Sequence, residues 1–399
     1  MSSPGGRRPL RILVLHSAYL SGDASGENRV VHDEVRLLRE RGHRVRSWAP
    51  APRAGSAREQ AALAARTLWS SHARRQVLRM LQEERPDVVH GHNLFPMLSP
   101  AIVRAVRRAG VPFVLTLHNY RQMCLPATFL RDGRPCEVCL GHVPWRGVAY
   151  RCYRDSLPAS AALASSLTLH RALGTFDRVT ISLAVSRFIL ERHVRAGVPR
   201  DRIVCKPNFA WPSARREGPG GYFLYLGRLA PEKGLRSLVE AWSEVDAPLS
   251  IVGDGDLRSE LEAAAPPTVT FLGTVSGERA LELLRGARAM ILPSIWYEGA
   301  PRSIAEACAA GVPVIASRIG SLPEFVDDGS TGRLFPAGDP AALARAAIEL
   351  LDDSVSTRLG EGAYRLWEAR FTPERGAEEL EAAYAKAMRV SGSREDAVV

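Results

Sequence analysis

Short apolar runs of strand length alternate with amphipathic stretches of helix length along this 399-residue chain, and the alternation happens twice. In the first half, strands are predicted at residues 12–15, 44–48, 87–90, 113–117 and 179–184, with helices over 28–41, within 57–84, over 102–109 and near 156–173. In the second half, strands are predicted at 222–226, 249–252, 269–272, 290–292 and 314–316, with helices near 235–245, 257–264, 278–286, 303–310 and 341–351. A helix between two strands returns the chain to the same end of the sheet, so the strands run parallel and both sheet faces are covered. A chain of this length is also too long for one core. The expectation is an α/β protein of two doubly wound parallel-sheet domains. The join is placed at Lys206-Pro207-Asn208-Phe209, before the polar, Gly-rich run 213–221. That gives domains 1–209 and 210–370, with a last helix over 371–390 expected to pack back on the first domain.

In open parallel sheets, ligands bind beyond the C-terminal ends of strands. Two such ends carry charge here. After the run 222–226 comes Gly227-Arg228-Leu229-Ala230-Pro231-Glu232-Lys233-Gly234, which offers two cations. After 290–292 comes Glu298-Gly299-Ala300-Pro301-Arg302-Ser303-Ile304-Ala305-Glu306, which offers two carboxylates. Cations suit phosphates and carboxylates suit hydroxyls, so the mixture suits a nucleotide diphosphate joined to a sugar. Pro301 fits the first position of a helix, where its missing N–H costs nothing. Gly311 fits the position after its C-terminus. N–H groups of Gly299, Ala300 and Arg302 would then face an anion.

Charge is divided between the halves. Residues 1–210 hold 33 basic and 15 acidic side chains, a net of +18, and the remainder holds 20 and 28, a net of −8. The basic half suits an anionic membrane surface or a phosphorylated acceptor. Only Lys206, Lys233 and Lys386 are lysine among 53 basic residues. Where arginine serves as the generic cation, a lysine marks a place that wants a compact ammonium. No apolar run approaches the roughly 18 residues needed to span a bilayer. Arg7 and Arg8 followed by residues 10–20 imitate a signal peptide, but Arg11, His16 and Ser17 interrupt the run. A first β-strand is the better reading, and a cytoplasmic location is the default.

Together these residues resemble the retaining glycosyltransferases of family 4, which have the GT-B fold, two Rossmann-like domains facing a cleft. The Glu-x7-Glu spacing of Glu298 and Glu306 is similar to the family signature, and 227–234 to its phosphate-clamp loop. Further likeness lies in 249–255, in 311–317, in Pro86-Asp87-Val88-Val89-His90-Gly91-His92-Asn93 and in Thr116-Leu117-His118-Asn119. The resemblance implies that Arg228 and Lys233 bind the donor diphosphate. Glu306 would hold the ribose, Glu298 would lie near the anomeric centre, and His118 would lie against the sugar. It further implies donor contacts from Gly227, Gly253, Gly299, Ala300 and Pro301, and a phosphate or acceptor loop at Ser21, Gly22 and Gly26. It implies transfer from a UDP-, GDP- or ADP-sugar to a sugar, lipid-linked or small-metabolite hydroxyl. Anomeric configuration would be retained and no catalytic metal required, and the place would be the cytoplasm or the inner face of the plasma membrane. This sequence departs from the pattern at Asn119, where Asp is frequent, and at Arg302, where an apolar residue is common. Arg302 is expected to point to solvent.

Cys124, Cys136, Cys139 and Cys152 lie within an irregular excursion over 119–153. A structural zinc bound by four thiolates would hold such a segment; His142 is a substitute ligand and an iron–sulfur cluster a rival occupant. Other enzyme classes fit less well. Gly253-Asp254-Gly255 lacks the third glycine of a dinucleotide fingerprint, since Arg258 stands there. No helix-turn-helix or aromatic RNA-binding motif accompanies the basic half, so no nucleic-acid partner is expected. A sugar-nucleotide epimerase or a phosphorylase of the same fold is the remaining alternative.

Overall fold

The computed structural model describes residues 8–20, 25–52 and 56–395. The chain forms two compact units. Unit 1 comprises residues up to Thr128, Glu137–Pro207 and the chain from Gly376 on; unit 2 comprises Phe129–Cys136 and Asn208–Arg375. The boundary at 207/208 falls two residues before the expected one, and part of the cysteine-bearing excursion belongs to unit 2.

Up to Pro207 the chain runs β1 (Arg11–Leu15), α1 (Gly26–Glu40), β2 (Arg44–Trp48), α2 (Ala57–Leu68), α3 (Ser71–Glu84), β3 (Val88–Gly91), α4 (Ala101–Arg108) and β4 (Phe113–Leu117). The excursion then forms the antiparallel pair β5 (Leu130–Arg131) and β6 (Arg134–Pro135) and one turn of helix, α5 (Arg146–Ala149). After it come α6 (Leu157–Ala172), β7 (Ile181–Ala184), α7 (Arg187–Arg195) and β8 (Ile203–Cys205). The sheet of unit 1 has the order β2-β1-β3-β4-β7-β8, all parallel. The helix expected over 57–84 is two helices, because the Ser70 hydroxyl accepts from the Ala73 N–H and starts α3 afresh. Ser25 is the N-cap of α1, and Gly26 and Glu27 lie in its first turn.

Unit 2 runs β9 (Tyr222–Leu226), α8 (Leu235–Ala241), β10 (Leu249–Val252), α9 (Arg258–Ala264), β11 (Val269–Gly273), α10 (Gly277–Gly286), β12 (Ala287–Leu292), α11 (Arg302–Ala309), β13 (Val314–Ser317), β14 (Gly332–Phe335), α12 (Pro340–Glu349) and α13 (Asp353–Arg370). Its sheet has the order β11-β10-β9-β12-β13-β14, again all parallel. Strands β8 and β14 and helices α7 and α13 were not expected from sequence. Both strands are short and sit at a sheet edge, where little apolar periodicity is needed.

The last helix, α14 (Pro373–Glu395), enters the core of unit 1 through Leu380, Ala383, Tyr384 and Ala387, none more than 4% exposed. These residues recur every three to four positions and so share one face of the helix. Burying the Leu and Tyr side chains stabilises the contact by roughly 1.5–3 kcal/mol each as an upper estimate. Arg41 and His43 also meet Glu381, at 3.0 and 3.4 Å.

Candidate active site

In each sheet the strand order reverses once, and open parallel sheets bind ligands at such a reversal, beyond the C-terminal ends of the two central strands. In unit 2 it lies between β9 and β12. Their following loops carry the two charged motifs. The loops are locked together at backbone level: Ile295 N–H donates to the Glu232 carbonyl at 3.0 Å. Gly234 has φ +71°, and a Cβ there would stand 1.9 Å from the Pro293 carbonyl oxygen, so the close approach requires glycine. On the other side, Gly253 has φ +133°, and a Cβ would fall 1.9 Å from the Gly227 carbonyl oxygen. Leu229 N–H donates to the Asp254 carbonyl at 2.9 Å, and the Tyr225 hydroxyl donates to the Arg228 carbonyl at 2.8 Å. Gly227 and Gly253 thus form the floor that fixes the Arg228 backbone.

The side chains converge on one carboxylate. Lys233 Nζ donates to Glu298 Oε1 at 2.7 Å, and the Ser294 hydroxyl donates to the same oxygen at 2.7 Å. The Ser321 hydroxyl donates to the Glu298 carbonyl at 2.8 Å and holds its backbone. Glu298 is 5% exposed. Burial alone would raise its carboxyl; the Lys233 ammonium and the hydrogen bonds from Lys233 and Ser294 outweigh it and hold the group below the usual carboxylate range. Lys233 also lies over the Trp296 ring, 5.1 Å from its centroid. Arg228 is the open cation of the pair: 67% of its side chain is exposed, and it meets Glu232 at 2.7 Å.

The second motif differs from expectation in two details. Pro301 is the N-cap of α11, not its first helical residue, and Arg302 begins the helix. Arg302 does not point to solvent. Only 11% of its side chain is exposed, and its Nη2 lies 3.0 Å from Glu306 Oε1, one helical turn on. The cation that departs from the family pattern is therefore turned inward against the second signature carboxylate. Ala300 accepts from Asn208 Nδ2 at 2.9 Å, which ties the loop of Gly299 and Ala300 to the start of unit 2.

In unit 1 the reversal lies between β1 and β3. The β3 loop brings His92 to His118, which follows β4: His92 Nδ1 and His118 Nε2 are 2.9 Å apart and the rings stack at 5.3 Å. Both residues line a pocket with Glu27, Asn119, Arg121 and Phe176. Burial lowers His118 to about 3, so its imidazole is neutral. Burial likewise pushes the Glu27 carboxyl up, while Asn119 Nδ2 donates to Glu27 Oε1 at 2.7 Å. The departure at Asn119 acquires a reason here, because an Asp would set two carboxylates against each other. Of the expected loop residues, Gly26 is the first residue of α1, whereas Ser21 and Gly22 lie outside the described residues.

Sequence reasoning did not find the polar cluster beneath His92. Glu34 stands on the apolar stripe of α1 among Val30, Val31, Val35 and Leu38, and all five are buried. Lys206 is 1% exposed and its Nζ donates to Glu34 Oε1. A carboxylate on an apolar helical stripe, together with a rare lysine at a strand end, was the signal available. The ligand atoms of Glu34, His90 and His92 lie within 4.8 Å of one another. Both His90 nitrogens are engaged, with the Tyr384 hydroxyl at 2.9 Å and the Thr116 hydroxyl at 2.7 Å, and Lys206 already supplies the positive charge. The set is a closed hydrogen-bonded network and does not fit a metal ion. None of the six cysteines is in a disulfide.

Two parallel doubly wound sheets, with charged motifs beyond the strand ends, are the architecture of the GT-B class of glycosyltransferases. Residues 220–353 match the family Glycosyl transferases group 1, and residues 24–210 match Glycosyltransferase Family 4. The chain is 29% identical over 343 residues to a phosphatidyl-myo-inositol mannosyltransferase of Mycobacterium leprae, covering 80% of this chain and 82% of the relative. It is 32% identical over 296 residues to a GDP-mannose-dependent alpha-mannosyltransferase of Mycobacterium tuberculosis, covering 69% and 68%. Its fold matches Anabaena HepE in complex with UDP and glucose with a TM-score of 0.65 at 16% identity, over 94% of this chain and 99% of the other. The chain belongs to glycosyltransferase family 4. Among the described residues no helix is long and apolar enough to cross a membrane.

Proposed function

We propose that the protein transfers a sugar, with retention, from a nucleotide-diphosphate donor to a hydroxyl acceptor. The observation that carries this reading is the Lys233–Glu298 pair at 2.7 Å, set beside Arg228 at the crevice between β9 and β12. Breaking the sugar–phosphate bond leaves negative charge on the diphosphate and positive charge on the anomeric carbon. Lys233, Arg228 and the N-terminus of α11 oppose the first, an electrostatic effect worth several kcal/mol in a preorganised site. Glu298 favours the second. The acceptor oxygen bonds to the anomeric carbon on the face the phosphate leaves, and the hydroxyl proton passes to the departing phosphate oxygen. With two cations supplied by the chain, the chemistry needs no divalent metal.

Glu306 is the candidate for the ribose hydroxyls, in concert with Arg302, and His118 for a sugar hydroxyl. Mannosyl transfer by the mycobacterial relatives and UDP in HepE make GDP-mannose and UDP-glucose the first donors to try. The net charge of +18 over residues 1–210 suits an acceptor at the anionic inner face of the plasma membrane, such as a lipid-linked saccharide in envelope polysaccharide synthesis. A zinc held by Cys124, Cys136, Cys139 and Cys152 rests on the sequence spacing alone. The functional test is release of nucleotide from UDP-, GDP- and ADP-sugars with and without acceptor, in the presence of a chelator. Acceptor-dependent release and an unchanged anomeric configuration support the reading. Release indifferent to acceptor, or an inverted product, overturns it.

A further inference from the structure

Beneath His118 lies a chain of polar side chains that no transfer step uses. His118 Nε2 meets His92 Nδ1 at 2.9 Å. The far nitrogen, His92 Nε2, lies 3.5 Å from Glu34 Oε2, and the other oxygen of Glu34 takes the Lys206 ammonium. His92 is 3% exposed, and Glu34 and Lys206 are 1% exposed each. His92 Nε2 and Glu34 Oε2 are both buried and lack any hydrogen bond within the protein, so each depends on the other across that gap.

Proton positions follow from this arrangement. Burial keeps both imidazoles neutral, so each ring carries one proton and one lone pair. Suppose His92 carried its proton on Nδ1. Its Nε2 lone pair would then face a carboxylate oxygen in a dry interior, where two acceptors repel and neither is satisfied. With the proton on Nε2, His92 faces Glu34 as a donor, and Nδ1 becomes an acceptor. His118 must then donate from Nε2, and its own lone pair is left on Nδ1. A carboxylate that fixes a histidine tautomer through the ring's second nitrogen is a general device of functional sites.

We infer that Glu34 and His92, with Lys206 paired to Glu34, are positioning residues that set His118 as a hydrogen-bond acceptor at Nδ1. The chemical class His118 then recognises in its cavity is a hydroxyl, which donates, and not a carbonyl or phosphate oxygen. The inference rests on the reading of His118 as a ligand-facing residue of the transferase, and it adds the polarity of that contact.

The test is nitrogen-15 NMR of the histidine rings in the full-length protein at neutral pH, with His118 and His92 assigned by His118→Gln and His92→Gln. The expected result is a proton on Nε2 of both rings and a bare Nδ1 on His118. In Glu34→Gln the amide oxygen turns to Lys206 and the NH2 faces His92, so both rings should move their proton to Nδ1. Turnover with the best donor should then fall at least tenfold while the melting curve stays cooperative. A wild-type His118 protonated on Nδ1 overturns the inference without any variant. Wild-type turnover in His118→Ala would instead remove His118 from the proposed reaction and leave the tautomer result standing.

Discussion

Replacing Lys233 by alanine isolates the interaction on which the proposed chemistry depends. At 2.7 Å the ammonium and the Glu298 carboxylate attract by about 6 kcal/mol at an effective dielectric constant of about 20. Desolvation of both groups cancels much of that, and a charge-assisted hydrogen bond nets about 1.5–3 kcal/mol. Removing one partner of a fully buried pair costs about 3–5 kcal/mol, but 19% of the Lys233 side chain is exposed and water can partly replace it. The expected loss of stability is therefore about 2–3 kcal/mol at neutral pH. The pH dependence should also change sign. In the native protein Glu298 is held low, so its contribution is present above the unfolded carboxylate value and lost as pH falls through the folded one. Without Lys233, burial is opposed mainly by the Ser294 hydrogen bond, and the folded carboxyl rises. The variant should then regain stability as pH falls from about 7 to about 5. Urea unfolding at both pH values measures this, and nucleotide release, expected to drop at least tenfold, measures turnover. A deficit under about 0.5 kcal/mol, flat with pH and accompanied by native turnover, would refute the reasoning.

The remaining predictions touch other parts of the molecule. Asn119→Asp places a second carboxylate against Glu27, which burial already raises; it should destabilise at neutral pH and recover as pH falls and the pair takes up a proton, visible in thermal melts across pH. Glu298→Gln should lower turnover at least tenfold with the fold retained, read by nucleotide release beside circular dichroism. Metal analysis of gently purified protein should find about one zinc per chain; none, with all four thiols of the excursion titratable, would remove the zinc proposal. Anionic vesicles should bind the protein more tightly than neutral ones, and added salt should weaken the binding; equal, salt-insensitive partition would reduce the basic half to solvated surface.

Much of the fold was legible because alternating strand and helix patterns are local properties of the chain. Tyr222 to Leu226 reads as a buried strand from its own composition, and the charged loop after it follows directly in sequence. The β8 and β14 strands escaped notice because three or four residues at a sheet edge carry almost no periodic signal. The break at Ser70 was hidden for a different reason: a single cap hydroxyl decides it inside an otherwise helical stretch.

The candidate site divides in the same way. Glu298, Lys233, Arg228 and Glu306 could be named from sequence, since motif spacing and strand ends put them at the crevice of one sheet. Sequence could not say that Lys233 would lie on Glu298 across 65 positions, nor that Arg302 would turn back onto Glu306. Such pairings depend on which loops meet, and loops meet only when the strand order reverses. The network of Glu34, His92, His118 and Lys206 is wholly of this kind. It gathers residues from the first helix, from the loops after β3 and β4, and from just beyond β8, and folding alone makes them neighbours. By itself the sequence determined most of the elements, the family and the charged motifs, because these are written in contiguous residues. The tertiary structure decided which charges are neutralised and which nitrogen of His118 keeps its lone pair, because burial and long-range contact set both.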